Sequence, residues 1–117
     1  MLERIDLFTT APAMRGFQGS TLPVFRVTVT GMELDGCSMR LVVEPRYKPG
    51  TAVLTKSCSH FTAGQDEGYS VMLTSTDTAN LLGVYNGYFI LTDGDGKEYK
   101  NLYVPLEILP FPEEVTS

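Results

Sequence analysis

Apolar residues recur at every second position through most of this chain, and only one short stretch carries a helical spacing. Residues 24–30 set Phe25, Val27 and Val29 against Arg26, Thr28 and Thr30, and Gly31 ends the run. Residues 37–44 place Cys37, Met39, Leu41 and Val43 on one face, and Pro45 ends that strand. Residues 46–50 read as a loop because Pro49–Gly50 is a turn pair, after which 51–58 returns with Ala52 and Leu54 on its apolar side. Residues 63–68 are polar and read as a loop, and 69–74 alternate Tyr69, Val71 and Leu73. Residues 75–82 predict a single helical turn between strands. A strand over 84–92, an Asp-Gly-Asp-Gly hairpin turn at 93–96 and a long strand over 98–109 complete the pattern. In that last strand Leu102, Val104, Leu106 and Ile108 share a face. Pro105 has no N–H for a ladder and predicts an edge or bulge.

Six or seven short strands separated by turn signals predict an all-β fold, a two-sheet β-sandwich or a small barrel. The 117 residues make one domain, and 43% apolar content supplies a core without metal or disulfide staples. We divide the chain into an N-terminal arm or first strand over 1–21, a sandwich over 22–109 and an acidic, proline-broken arm over 110–117. The net charge of −5 argues against nucleic acid and anionic membranes as partners, since both require clustered Lys and Arg. No apolar run approaches the ~20 residues that a bilayer span requires. Glu3, Arg4 and Asp6 stand where the apolar region of a secretory signal would begin.

Chemistry-bearing residues are few. If Glu44 pairs with Thr51, Cys37 faces Cys58, and the two form either a cross-strand disulfide or free thiols of a reducing compartment. Asp93 and Asp95 match the start of a calcium loop. Lys97 then occupies a ligand position and no Glu closes the loop, so a hairpin turn is the expectation. His60 has no zinc-spaced partner and reads as a solvent or turn residue. We therefore expect no cofactor, no metal and no catalysis. Arg40, Arg46, Lys48 and Lys56 sit in or beside one hairpin and form either a solvated face or a docking patch for an acidic surface, such as Glu113–Glu114 of a neighbouring copy. In the last hairpin, pairing Thr92 with Lys97 puts Tyr88, Ile90, Tyr99 and Tyr103 on one outward face. Clustered tyrosines there point to an intermolecular contact, unless the N-terminal segment covers them.

Residues 73–85 end in Gly-x-Tyr after an Asp-bearing turn. Asp77, Gly83 and Tyr85 resemble the tyrosine corner of immunoglobulin-like sandwiches. Gly87 stands where antibody domains carry a Cys, and the chain has no Trp. More broadly, 17–109 resembles the N-terminal immunoglobulin-like domain of phage baseplate upper proteins. The likeness runs through Gln18–Gly19 before an alternating strand, a hairpin with a charged tip over 37–58, the stretch from Gly68 to Thr74, and the closing Asp95–Gly96 hairpin. That resemblance implies an immunoglobulin-like sandwich of about seven strands with one short helical turn. It also implies a structural role in a phage or prophage particle, assembled through sheet faces and terminal arms with itself or other particle proteins. Its location would be the virion, and the bacterial cytoplasm during assembly. A soluble ligand- or glycan-binding sandwich using the same tyrosines is the alternative.

Overall fold

A computed structural model describes residues 14–29, 33–48 and 50–110. Along the chain run β1 (Met14–Phe17), β2 (Phe25–Thr28), β3 (Ser38–Pro45), β4 (Leu54–Ser57), β5 (Ser59–Ala63), β6 (Asp66–Val71), the short helix α1 (Ser75–Ala79), β7 (Gly83–Thr92) and β8 (Glu98–Leu109). They form a two-sheet β-sandwich. One sheet has the order β1-β8-β7-β3-β4 and the other β2-β6-β5, the strand order of an immunoglobulin-like fold. Residues 1–13 and 111–117, the bulk of the two expected arms, lie outside the described residues. The last four residues of the N-terminal segment before Gln18 are β1, which runs parallel to β8 and pairs Met14 with Leu106 through Phe17 with Leu109.

The alternation seen in sequence separates inside from outside. Leu41 and Val43 of β3, Phe89 and Leu91 of β7, and Val104, Leu106 and Ile108 of β8 are at most 1% exposed. The smaller sheet contributes Val27, Tyr69 and Val71 to the same core, and Phe25 stacks on Phe89 with ring centroids 5.5 Å apart. Each large apolar side chain so buried contributes about 1.5–3 kcal/mol.

Three sequence expectations are corrected. First, the 37–58 hairpin is shifted by two residues: Leu41 pairs with Lys56 and Val43 with Leu54. The loop read over 46–50 runs on to Val53, since β4 opens only at Leu54, and the Gly50 N–H donates to the Glu44 carboxylate at 3.1 Å. Second, residues 63–68 are not one loop. Ala63 pairs with Asp66 across a two-residue turn, in which Gly64 takes the positive φ (+64°) that such hairpins need. This hairpin supplies β5 and brings the described strands to eight. Third, the last hairpin pairs Thr92 with Glu98, and Tyr88 with Tyr103. Between Phe89 opposite Leu102 and Leu91 opposite Tyr99, Lys100 and Asn101 together oppose Ile90, which is a β-bulge. Pro105 lies one position before the β1 pairing begins. Leu109 accepts from the Gln18 N–H on the β1 side, so by the two-residue period Pro105 turns its missing N–H to that same side.

Candidate interaction face

The end of the sandwich at which β7 begins is tied by two polar devices. At the first, the Tyr85 hydroxyl accepts from the Leu82 N–H at 2.7 Å and donates to the Leu82 carbonyl at 2.9 Å. Gly83 between them has a φ of +107°, which L side chains rarely adopt. Tyr85→Phe removes both bonds and leaves the partly buried Leu82 N–H without an acceptor. The expected loss is about 1–2 kcal/mol, read as a lower midpoint in chemical denaturation. At the second, Thr74 and Asp77 form a capping box on α1. The Asp77 carboxylate accepts from the Thr74 N–H at 2.9 Å, and the Thr74 hydroxyl accepts from the Asp77 N–H at 3.3 Å. Lys56 closes an ion pair on the same carboxylate. Burial alone would raise the Asp77 carboxyl, but the bonds from Lys56 and Thr74 outweigh it and hold the group below its ordinary value.

Both thiols are free. The shifted register sets Cys58 beside Met39, whose carbonyl accepts from the Cys58 N–H at 2.9 Å, so Cys37 and Cys58 are not opposite one another. Burial pushes the Cys58 thiol up to about 12, and burial followed by the charge of Asp93 raises Cys37. Asp93 organises its own turn: its carboxylate accepts from the N–H groups of Asp95 and Lys97, both at 2.9 Å, and from the Tyr99 hydroxyl at 3.2 Å. Among the described residues no group of three or more His, Cys, Asp or Glu is placed to hold a metal ion. His60 reaches Glu67 at 2.6 Å and packs edge-on to Tyr69.

The outward face of the five-stranded sheet has an apolar centre. Phe89 and Leu91 point into the core, so Ile90 points outward. It is nonetheless only 8% exposed, yet lies outside the core cluster. Val42, Glu44, Tyr88, Ile90 and Lys100 line a cleft of about 310 Å³ there. The Tyr88 and Tyr103 rings meet at 5.7 Å. The Tyr103 hydroxyl donates to the Asn86 side-chain Oδ1 at 3.1 Å, and the Arg46 guanidinium donates to that Oδ1 at 3.3 Å and to the Tyr103 hydroxyl at 3.1 Å. The charges around this centre pair within the chain: Arg15 with Glu107 at 2.9 Å, and Arg40 and Lys100 each with Glu98 at 3.3 Å.

The sequence matches no known protein family, and no curated protein is significantly similar to it.

Of the four tyrosine-face residues read from sequence, the structure brings Tyr88, Ile90 and Tyr103 together and removes Tyr99. The bulge turns Tyr99 to the inner side, where it packs against the core and bonds Asp93. The four basic residues read as either a solvated face or a docking patch do not share one surface. Arg40 and Arg46 lie on or beside the outward face and Lys48 in the exposed loop, whereas Lys56 turns inward to Asp77 because its partner Leu41 is a core residue. Sequence reading missed Asn86, Val42 and Glu44. A polar Asn between Tyr85 and Tyr88 in an otherwise apolar strand was the available signal for the first. The other two are the outward positions of β3, visible once its alternation is assigned.

Proposed function

We propose that this chain is a non-enzymatic assembly protein whose outward five-stranded face contacts another protein surface, in the phage- or prophage-particle setting to which the sequence resemblance points. One observation supports it most: a sheet exterior carrying Val42, Ile90 and two touching tyrosines at its centre, with Arg15, Arg40 and Lys100 around it held in ion pairs to Glu107 and Glu98. Such a face loses little by desolvation of charge and gains by covering its apolar centre. Aromatic residues in the middle of a patch with paired charges around them are the arrangement of a contact hot spot.

Light scattering over a concentration series tests this reading. The wild type is expected to gain mass with concentration. Tyr88→Glu, at a half-buried surface position, is expected to weaken that association at least about tenfold while the melting temperature falls by no more than a few degrees. A monomer at every concentration whose melting temperature rises on adding oligosaccharide would replace the assembly reading with the ligand-binding one.

A further inference from the structure

The two ends of the sandwich differ in charge. β3 runs from Ser38, opposite Thr92, to Pro45, opposite Tyr85, so the loops before β3 and after β7 share one end. A Cβ on Gly36 would meet the Gly94 Cα at 3.7 Å, which confirms that they adjoin. The β5–β6 turn lies at this end too, because β6 runs from Asp66 away toward α1. Here Glu33, Asp35, Asp66 and Asp95 are exposed, with Lys97 as the basic residue of the same loops. The other end lies about 26 Å away, the length of eight strand residues. It carries Arg46, Tyr47 and Lys48, with Tyr47 85% exposed, beside the exposed Leu82 and Val84. The Arg46 N–H donates to the Val84 carbonyl at 3.3 Å, so the loop and the start of β7 form one surface. The acidic groups near it are engaged: Asp77 by Lys56 and Glu44 by the Gly50 N–H.

We propose that the Arg46–Tyr47–Lys48 end of one copy docks on the Asp35–Asp95 end of a second copy, head to tail. The inference rests on the reading of the chain as an assembly protein and names a second contact for it. Charge complementarity selects the occupant: a chain of net charge −5 offers this basic, apolar end a strongly acidic surface in every other copy of itself. Unlike ends meeting in this way form a heterologous contact, which repeats into a ring or a filament instead of closing as a two-fold dimer. β8 ends at Leu109 on the side of the basic end, so segment 111–117, with Glu113 and Glu114 in its sequence, is the competing occupant to be tested.

The test uses the full chain carrying Tyr88→Glu, so that the sheet face contributes nothing. One variant adds Arg46→Ser with Lys48→Ser; the other adds Asp35→Asn with Asp95→Asn, so that each altered end is neutral. In sedimentation velocity at low salt the parent is expected to form oligomers, with affinity falling about tenfold or more between 50 and 300 mM salt. Each end variant alone is expected to be monomeric. An equimolar mixture is expected to give a species of twice the monomer mass, since one variant keeps the acidic end and the other the basic end. Either variant associating as the parent does, a mixture no heavier than its components, or a parent that is monomeric throughout would overturn the proposal. So would a parent that associates only after deletion of 111–117, which would identify its own tail as the occupant. Loss of association in the end variants with no effect of Tyr88→Glu keeps the head-to-tail contact and removes the sheet-face reading. The opposite pattern does the reverse.

Discussion

Gly68→Ala is expected to destabilise the protein by at least about 3 kcal/mol, a large part of the 5–15 kcal/mol that holds a domain of this size together. Gly68 sits in the central strand of the smaller sheet, opposite Thr28 of β2 and Phe61 of β5. A Cβ there would lie 1.9 Å from the Val27 carbonyl oxygen and 2.9 Å from the Thr28 Cα. Both obstacles are backbone, so no rotamer change relieves them. β2 has to move away from β6, which loosens the ladder from Phe25–Val71 to Thr28–Gly68 and admits water beside Val27 and Tyr69. Overpacking alone costs about 1–3 kcal/mol, and the weakened ladder adds to it. Urea denaturation measures the loss. Gly94→Ala is the control, because a Cβ at Gly94 meets nothing nearer than 4.0 Å and its φ is ordinary; its stability should stay within about 0.5 kcal/mol of wild type. Equal stability of the two variants would contradict the packing described here.

Asp77→Ala is the second large effect, about 2–3 kcal/mol. It removes the Asp77 half of the capping box, the bond from the Thr74 N–H, worth about 1 kcal/mol, and strands the Lys56 ammonium, whose side chain is only 28% exposed. The pair is partly wetted, so its share is smaller than for a fully buried one. If this account holds, Lys56→Ala and Asp77→Ala together cost less than the sum of the two singles. The pH dependence has a definite sign. A carboxyl lowered in the folded state gives stability that is present above its unfolded value, near 3.9, and is lost as pH falls through the lower folded value. The stability difference between wild type and Asp77→Asn should therefore be flat above about pH 5 and shrink below about pH 4. A difference that grew on acidification would rule out the ion pair as its source.

These two sites mark what can and cannot be seen in an isolated sequence. The alternation in 24–30, 37–44 and 84–92 reads directly as β2, β3 and β7, because each has one face in the core and one in solvent. β5 escapes notice because it is an edge strand, with four of its five residues exposed, so no apolar face announces it. The two-residue shift between β3 and β4 is not visible in sequence because Ala52 continues the alternation of Leu54, although β4 begins only at Leu54. Lys56 groups with Arg40 in sequence only because both lie in one hairpin; a change of register by an even number keeps the face, so Lys56 stands opposite a core residue of β3, Met39 or Leu41, in either register. The displacement of Tyr99 has a different cause. A bulge adds one residue and so reverses inside and outside for everything beyond it, and nothing in Lys100–Asn101 distinguishes it from regular strand. The corner formed by Tyr85 was legible because its parts lie within four residues of chain. Gly87 is also accounted for: a Cβ there would come within 2.8 Å of the Val104 carbonyl oxygen, so the place of the antibody-type Cys is closed to any side chain.

The parallel pairing of β1 with β8 also governs the order of folding. Met14 and Leu106 are 92 positions apart, and few contacts in a domain this small span more chain. On a ribosome, β1 is made early and has no ladder partner until nearly every other strand has emerged, so the five-stranded sheet acquires its outermost member last. A topology so dominated by distant pairings belongs to the millisecond-to-second class of folders. During that interval β8 and its tyrosine-bearing neighbour β7 wait with an open flank, and this is the period in which a crowded cell would most readily join two unfinished chains.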